Sequence, residues 1–426
     1  MLTSSPRGTT DILPEEARRW QWMEAVARSL CARYGYEEIR TPAFEHTELF
    51  ERGVGDATDI VEKEMYTFLD RSQRSLTLRP EGTAGVVRAY LQARLYSQPQ
   101  PIKLYYIGPM FRYGRPQSGR LRQFHQFGVE AFGSEAADLD AEVITLAGDF
   151  FQSLGLTGLE LHLNSVGCAD CRPGYRQELV QYLTPRVGEL CETCRSRYER
   201  NPLRILDCKN EACQSLSVGA PKVTSFLCPK CAAHLRAVEN HLRASGMAYV
   251  LDPFLVRGLD YYTSTAFEIM LPGEAGGSIG GGGRYDKLVE VCGGPPTPAV
   301  GFAVGLERTL LAMKQQGLTP APSRGPLVFV AVAAPEARAA AWEVLCALRR
   351  AGLNADKDFL SRSLKAQMKY ADRLGARLAV ILGPEEIAGG WVTVRDLQHG
   401  IQDRVNRDEL IGYLQQFLPD KQVENK

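Results

Sequence analysis

A chain of 426 residues is too long for one hydrophobic core and implies about two to four domains. Lysine plus arginine equals aspartate plus glutamate at 50 each, which excludes a broadly basic nucleic-acid binder, so any such surface has to be local. A hydrophobic content of 44% and a charged content of 23% suit an ordinary globular protein, with no apolar run long enough to span a bilayer.

The first residues, MLTSSPRGTTDILPEE, lack the apolar core of a signal peptide, so a reducing cytoplasm is expected. Pro14 to Tyr34 predicts a helix. Pro14 suits its first turn, Glu15 and Glu16 its positive end, and Gly35 its stop. Trp20, Met23, Ala27 and Leu30 form its apolar stripe. Glu37 to Glu48 reads as an extended segment broken by Pro42, at an edge or interface. In LTLRPEGT, Leu76 to Thr83, a strand runs into a helix start. Glu81 and Thr83 stand where the helix leaves its amides unpaired, either as caps or as a carboxylate aimed at a cationic ligand.

Ile102 to Phe132 predicts two strands joined by a polar, basic loop. Alternation puts Leu104, Tyr106, Gly108, Met110 and Arg112 on one face of the first strand. It puts Phe124, Gln126, Gly128, Glu130 and Phe132 on one face of the second. An apolar face with a few polar groups and glycine gaps suits a ligand floor. Arg112, Arg115, Arg120 and Arg122 crowd the connection, and a guanidinium is a bidentate, permanently charged phosphate binder. A solvated hairpin tip has the same composition.

A helix from Asp138 to Leu154 and a strand from Leu159 to Asn164 lead into a cysteine-rich stretch. Eight of the eleven cysteines fall there as four close pairs: Cys168 and Cys171, Cys191 and Cys194, Cys208 and Cys213, Cys228 and Cys231. Two thiolates two residues apart grip one tetrahedral zinc, and two such pairs complete a site. Eight ligands make two closed, structural sites, with the combination of pairs left open. Buried free thiols are the alternative.

A helix from Ala232 to Ser245 and a short strand at Tyr249 to Phe254 follow. LVRGLDYYTSTAFEIM then becomes a strand from about Tyr262, with Arg257, Asp260, Tyr261 and Tyr262 at its mouth. SIGGGGRYD, Ser278 to Asp286, lets backbone approach a ligand closely or simply turn. PAVGFAVGLERTLLAM is a small-residue strand followed by a helix with Arg308 near its N-terminus, where dipole and guanidinium both favour an anion. After a linker at Gln315 to Arg324, strands at LVFVAVA, Asn354 to Lys357, LAVILG and Val392 to Arg395 alternate with helices. These predict a small α/β domain with a largely parallel sheet. Arg362, Lys365 and Lys369 give it a basic helical face, suited to a nucleic-acid backbone or to solvent.

Together TLRPEGT, FRYGRPQSGRLRQFHQFGVE, RGLDYYT, GGRYD and GFAVGLER resemble the bacterial histidyl-tRNA synthetases, which are class II aminoacyl-tRNA synthetases, over essentially the whole chain. The resemblance implies an α+β fold: an antiparallel-sheet catalytic domain with an inserted Cys-rich helical domain, and a C-terminal α/β anticodon-binding domain. The expected boundaries are 1–165 and 249–318 for the catalytic domain, 166–248 for the insertion, 319–325 for a linker and 326–426 for the anticodon-binding domain. It implies activation of L-histidine with ATP and Mg²⁺, transfer to tRNA(His), and a homodimer with Glu37 to Glu51 at or near its interface. By position, Glu81, Gly82, Thr83 and Gln126 would hold the histidine α-amino end. Glu130 and Tyr262, with Tyr261 beside them, would read the imidazole. Arg112 and Arg308 would hold ATP phosphates, and Arg257 the reacting α-phosphate. Arg115, Gln117, Arg120 and Arg122 would meet tRNA.

Gly114 departs from the family, which has there an acidic residue that contacts adenine. Nor does the resemblance supply all eight cysteines. A regulatory paralogue of ATP phosphoribosyltransferase has the same catalytic fold, but lacks the C-terminal domain and degrades the RGLDYY stretch. A pure RNA-binding zinc protein leaves the polar floor unexplained.

Overall fold

The computed structural model describes residues 3–55, 58–271, 277–318 and 327–417. The chain forms two compact units, Met1–Pro320 and Ala321–Lys426, and the expected linker at 319–325 lies outside the described residues.

The first unit opens with α1 (Pro14–Arg33), whose buried Trp20, Met23, Ala27 and Leu30 are the expected stripe. The segment read as one extended piece divides. β1 (Glu37–Glu38) pairs parallel with a central strand, β2 (Phe44–His46) joins a small separate sheet, and α2 (Thr47–Val54) follows at once. Pro42 separates the two strands, as an imino acid without a ladder donor should. A π-helical turn at 60–64, β3 (Tyr66–Leu69) and β4 (Ser75–Leu78) precede α3 (Thr83–Gln92). β5 (Ile102–Phe111) and β6 (Gln123–Phe132) are the two long strands of the hairpin. They pair antiparallel with Leu104 opposite Glu130 and Gly108 opposite Gln126, so the alternation read from the sequence puts both polar faces on one side.

The chain continues through α4 (Ala137–Ser153), β7 (Glu160–Ser165), α5 (Arg172–Leu183), α6 (Glu192–Arg200), α7 (Glu211–Val218) and α8 (Pro229–Ala244). It then returns to the sheet through β8 (Val250–Leu251), β9 (Thr263–Leu271), β10 (Gly277–Arg284), α9 (Leu288–Val291), β11 (Ala299–Gly305) and α10 (Leu306–Gln315). The main sheet has eight strands in the order β1-β5-β6-β11-β10-β9-β7-β8, antiparallel from β5 to β7 with a short parallel strand at each edge.

Period 2 divides β6. Phe127, Val129 and Ala131 point into the main core with α1 and α4, while Gln126, Gly128 and Glu130 face the other side. α5 to α7 build their own small core around Tyr175, Leu179, Leu183 and Ile205. α8 instead sends Leu235, Val238 and Leu242 into the main core against α4.

The second unit contains β12 (Val328–Val332), α11 (Arg338–Arg350), β13 (Ala355–Lys357), α12 (Leu364–Arg373), β14 (Leu378–Leu382), α13 (Pro384–Gly389), β15 (Trp391–Asp396), β16 (Gln402–Asn406) and α14 (Leu410–Gln415). Its sheet, β13-β12-β14-β15-β16, corrects the expectation of a largely parallel one: the first three strands are parallel, and β15 and β16 are antiparallel. Residues 383–390 are too few for a parallel crossover, which takes about a dozen. β16 escaped the sequence reading because QDRVN is an edge strand with only Val405 buried.

Candidate active site

One cavity of about 430 Å³ opens over the polar face of β5 and β6. It gathers Glu81, Thr83, Arg112, Arg120, Gln126, Glu130, Arg257, Tyr261, Tyr262 and Arg308, which lie up to 227 positions apart in the sequence (308 − 81). Gly82 is buried beside it, where a Cβ would collide with the Tyr106 ring at 2.3 Å. Arg115 and Gln117 are exposed on the connecting loop, and Arg122 stacks on Tyr113 with its guanidinium 3.9 Å from the ring centre.

Burial dominates the acidic and phenolic wall. Glu130, 1% exposed, accepts from Thr83 Oγ1 at 2.7 Å and from the Tyr285 hydroxyl. Loss of solvation pushes its carboxyl up to about 8, a rise that these two donors oppose and the nearby Glu81 adds to. Glu81 accepts from the amides of Thr83 and Ala84, both at 2.8 Å. Its capping role is therefore realised at the cavity wall. Tyr261 donates to Thr83 Oγ1 at 3.5 Å. Gln126 Oε1 is buried without a hydrogen-bond partner among the described residues.

The cationic wall is built differently. Arg112 Nε donates to the Pro80 carbonyl at 2.7 Å, and Arg308 donates to the Ser278 and Gly119 carbonyls. Neither guanidinium has a carboxylate within ion-pair distance among the described residues, and burial lowers the pKa of both. Glu307, the neighbour that could have neutralised Arg308, accepts from the His125 amide at 2.9 Å instead. Arg257 pairs with Glu268, and its Nε is buried without a hydrogen-bond partner among the described residues.

The glycines make room for side chains. A Cβ at Gly301 would stand 2.0 Å from Glu130 Oε2, and one at Gly281 would stand 2.9 Å from an Arg257 nitrogen. Arg284, the charged group after the glycine run, turns to the opposite face and is buried against Asp140. Gly301 of β11 thus makes room for Glu130, and Gly281 of the run for Arg257.

Three participants escaped sequence reasoning. Tyr285 stands inside GGRYD. Glu268 is the one charged residue in the apolar run TAFEIM. Glu64, from the π-helical turn, pairs with Arg120 over Gly114, where a Cβ would lie 3.1 Å from Arg120 Nε. Only the first two carried a local signal.

The eight cysteines resolve into two clusters, Cys168, Cys171, Cys228 and Cys231, and Cys191, Cys194, Cys208 and Cys213. Within each, the sulfurs all lie within 4.8 Å of one another. Cys168 Sγ is 3.6 Å from Cys171 Sγ and 3.9 Å from Cys228 Sγ, and Cys191 Sγ is 3.9 Å from Cys208 Sγ. Four thiolates at zinc bond lengths of about 2.3 Å stand about 3.8 Å apart, whereas a disulfide needs about 2.05 Å. Backbone amides already donate to sulfur, Cys228 N to Cys171 at 3.0 Å and Cys191 N to Cys213 at 3.3 Å. The donor set and spacing therefore fit a tetrahedral, thiophilic metal.

An antiparallel sheet that floors a cavity lined by arginines and by buried acidic and phenolic groups defines a class II aminoacyl-tRNA synthetase. The family model for histidyl-tRNA synthetase matches residues 8–309, and that for the anticodon binding domain matches residues 327–417. The chain is 61% identical over 414 residues to the histidine–tRNA ligase of Moorella thermoacetica, covering 97% of this chain and 98% of that one. It is 57% identical over 415 residues to that of Desulforamulus reducens, covering 97% and 99%. The crystal structure of apo S. aureus histidyl-tRNA synthetase resembles it with a TM-score of 0.83 at 41% identity, covering 96% of this chain and 99% of that one. The chain belongs to the histidyl-tRNA synthetase family.

Proposed function

We infer that the cavity activates L-histidine with ATP and that the enzyme then esterifies the 3′-terminal ribose of tRNA(His). As a histidine–tRNA ligase it joins the histidine carboxylate to the α-phosphate, releasing pyrophosphate, and the ribose hydroxyl then displaces AMP. The observation that carries this reading is a pair of half-buried guanidiniums, Arg112 and Arg308, with no carboxylate in ion-pair distance among the described residues, lining one cavity together with Glu130 and Tyr262. Such a wall calls for an anion, and phosphoryl chemistry of this kind needs position and positive charge more than a protein nucleophile.

ATP enters as its Mg²⁺ complex. Arg112 and Arg308 hold its phosphates, while Arg257, kept flat by Glu268, neutralises charge growing at the α-phosphate. Glu81, Thr83 and Gln126 take the α-amino group, with Gln126 Oε1 as a ready acceptor. Neutral imidazole presents one N–H and one bare nitrogen. Glu130 and Tyr262 satisfy both, and an analogue lacking either leaves buried groups unpaired. Arg115, Gln117, Arg120 and Arg122, on the loop between β5 and β6, meet the tRNA acceptor end.

The functional division follows 1–165 with 249–318 for chemistry, 166–248 for the insertion and 326–426 for the anticodon. Both thiol clusters hold structural zinc. A homodimer forms through the 37–51 region, where Phe44, 50% exposed, lies edge to face with Phe68 of β3, 43% exposed. None of the described helices is long and apolar enough to cross a membrane, and the reduced thiols suit the cytoplasm.

Histidine-dependent exchange of pyrophosphate into ATP tests the assignment. It should be strong with histidine and weak with other amino acids. A folded protein that exchanges with none, as a regulatory paralogue or an RNA-binding module would behave, overturns it.

A further inference from the structure

We propose that the thiol cluster Cys168, Cys171, Cys228 and Cys231 is a metal-dependent positioning site for the histidine pocket, acting through Arg172 on Tyr262. This rests on Tyr262 facing histidine, as assigned above.

The cluster sits where the insertion leaves and rejoins the catalytic unit. Cys168 and Cys171 follow β7 and precede α5, and Cys228 and Cys231 open α8, which is packed into the main core. One tetrahedral ion there ties the exit strand to the return helix. Between those anchor points, the backbone of 166–172 grips the start of β9. Val166 N donates to the Ser264 carbonyl at 2.7 Å, and Ser264 N donates to the Gly167 carbonyl at 3.1 Å. Ser264 is held there at a φ of +48°, a left-handed conformation that a non-glycine residue keeps only when its surroundings impose it. Cys231 Sγ lies 3.9 Å from Ser264 Oγ. Arg172, adjacent to Cys171, donates to the Tyr262 carbonyl and, through Nε, to the Val166 carbonyl at 3.3 Å.

The far end of the same segment is held from the insertion as well. Asn201 Nδ2 donates to Asp260 Oδ1 at 2.9 Å, and Arg204 donates to the Arg257 carbonyl at 3.5 Å. The stretch from Arg257 to Tyr262 has little secondary structure of its own, so its geometry depends on these external contacts. A metal that fixes Cys171 fixes the base of Arg172, and through it the backbone carrying the Tyr262 ring. A metal serving only the insertion would leave the histidine site alone.

The test uses the full-length enzyme. Elemental analysis of the purified protein should find about two zinc ions per chain, and Cys168→Ser should lose one. In ATP–pyrophosphate exchange, Cys168→Ser should raise KM for histidine roughly tenfold while KM for ATP moves less than about twofold. Arg172→Ala should keep both ions and reproduce the histidine effect, which keeps the proposal testable even if the cysteine variant does not fold. Loss of kcat with an unchanged histidine KM in Arg172→Ala, or purified protein with no bound metal, overturns the proposal. A rise in KM for ATP alone overturns instead the placement of Tyr262 in the histidine pocket.

Discussion

Arg112 and Arg308 are half-buried with carbonyl oxygens as their hydrogen-bond acceptors, while Glu130, which lines the same cavity, is fully buried with hydroxyls as its donors. The first wall keeps its charge because a guanidinium does not lose its proton in a protein. The second can shed charge by taking a proton up, and its carboxyl sits at about 8. Enclosure in one cavity therefore produces a permanent electrostatic demand at the guanidiniums and a conditional one at the carboxyl. In the function proposed above, the guanidiniums stabilise charge that develops during the reaction, and the acidic group selects a ligand with matching donors.

The largest expected effect separates the walls by kinetics. Arg257→Ala should lower the exchange rate by about 10²–10³-fold, the size of one lost transition-state donor, with histidine binding nearly kept. A raised histidine KM at normal turnover would assign Arg257 to histidine binding instead. Next in size, Glu130→Ala should cost roughly 10- to 100-fold in kcat/KM for histidine and narrow the preference over other amino acids. That follows from a lost buried hydrogen-bond partner of about 1–3 kcal/mol. An unchanged preference in competition assays would remove Glu130 from recognition.

The conditional charge is sharpened by pH. The folded-state pKa of Glu130, about 8, lies above its unfolded value of about 4.5, so the native state holds this proton more tightly. The stabilisation is full below about 4.5 and is lost as pH rises toward 8. Glu130→Gln should therefore gain unfolding free energy over wild type progressively from pH 5 to pH 8, on the order of a few kcal/mol at most, read by denaturant titration at each pH. A constant difference across that window would mean that Glu130 is charged throughout. The smallest effect concerns the cavity rim: Arg120→Ala should weaken transfer to tRNA roughly fivefold more than exchange, the equivalent of one contact of ~1 kcal/mol. Equal effects on both steps would confine Arg120 to its pair with Glu64.

Several features were legible because they depend on near neighbours. Alternation placed Gln126 and Glu130 on one face of β6, Pro14 and Gly35 bracketed α1, and the close cysteine pairs announced metal-ligand spacing. The motif residues carried the class II fold and the histidine chemistry with them. Other features had no local signature. Cys168 and Cys171 join the pair 57 positions on (228 − 171), rather than the nearer Cys191 and Cys194, because β7 and α8 pack side by side. Glu64 reaches Arg120 because a π-helical turn lies over the hairpin loop, and β15 runs antiparallel because its connection is too short to cross over. Periodicity and capping act over a few residues, and one chain shows them directly. Partner choice across tens of residues is decided by which surfaces bury each other, and that exists only once the chain has folded.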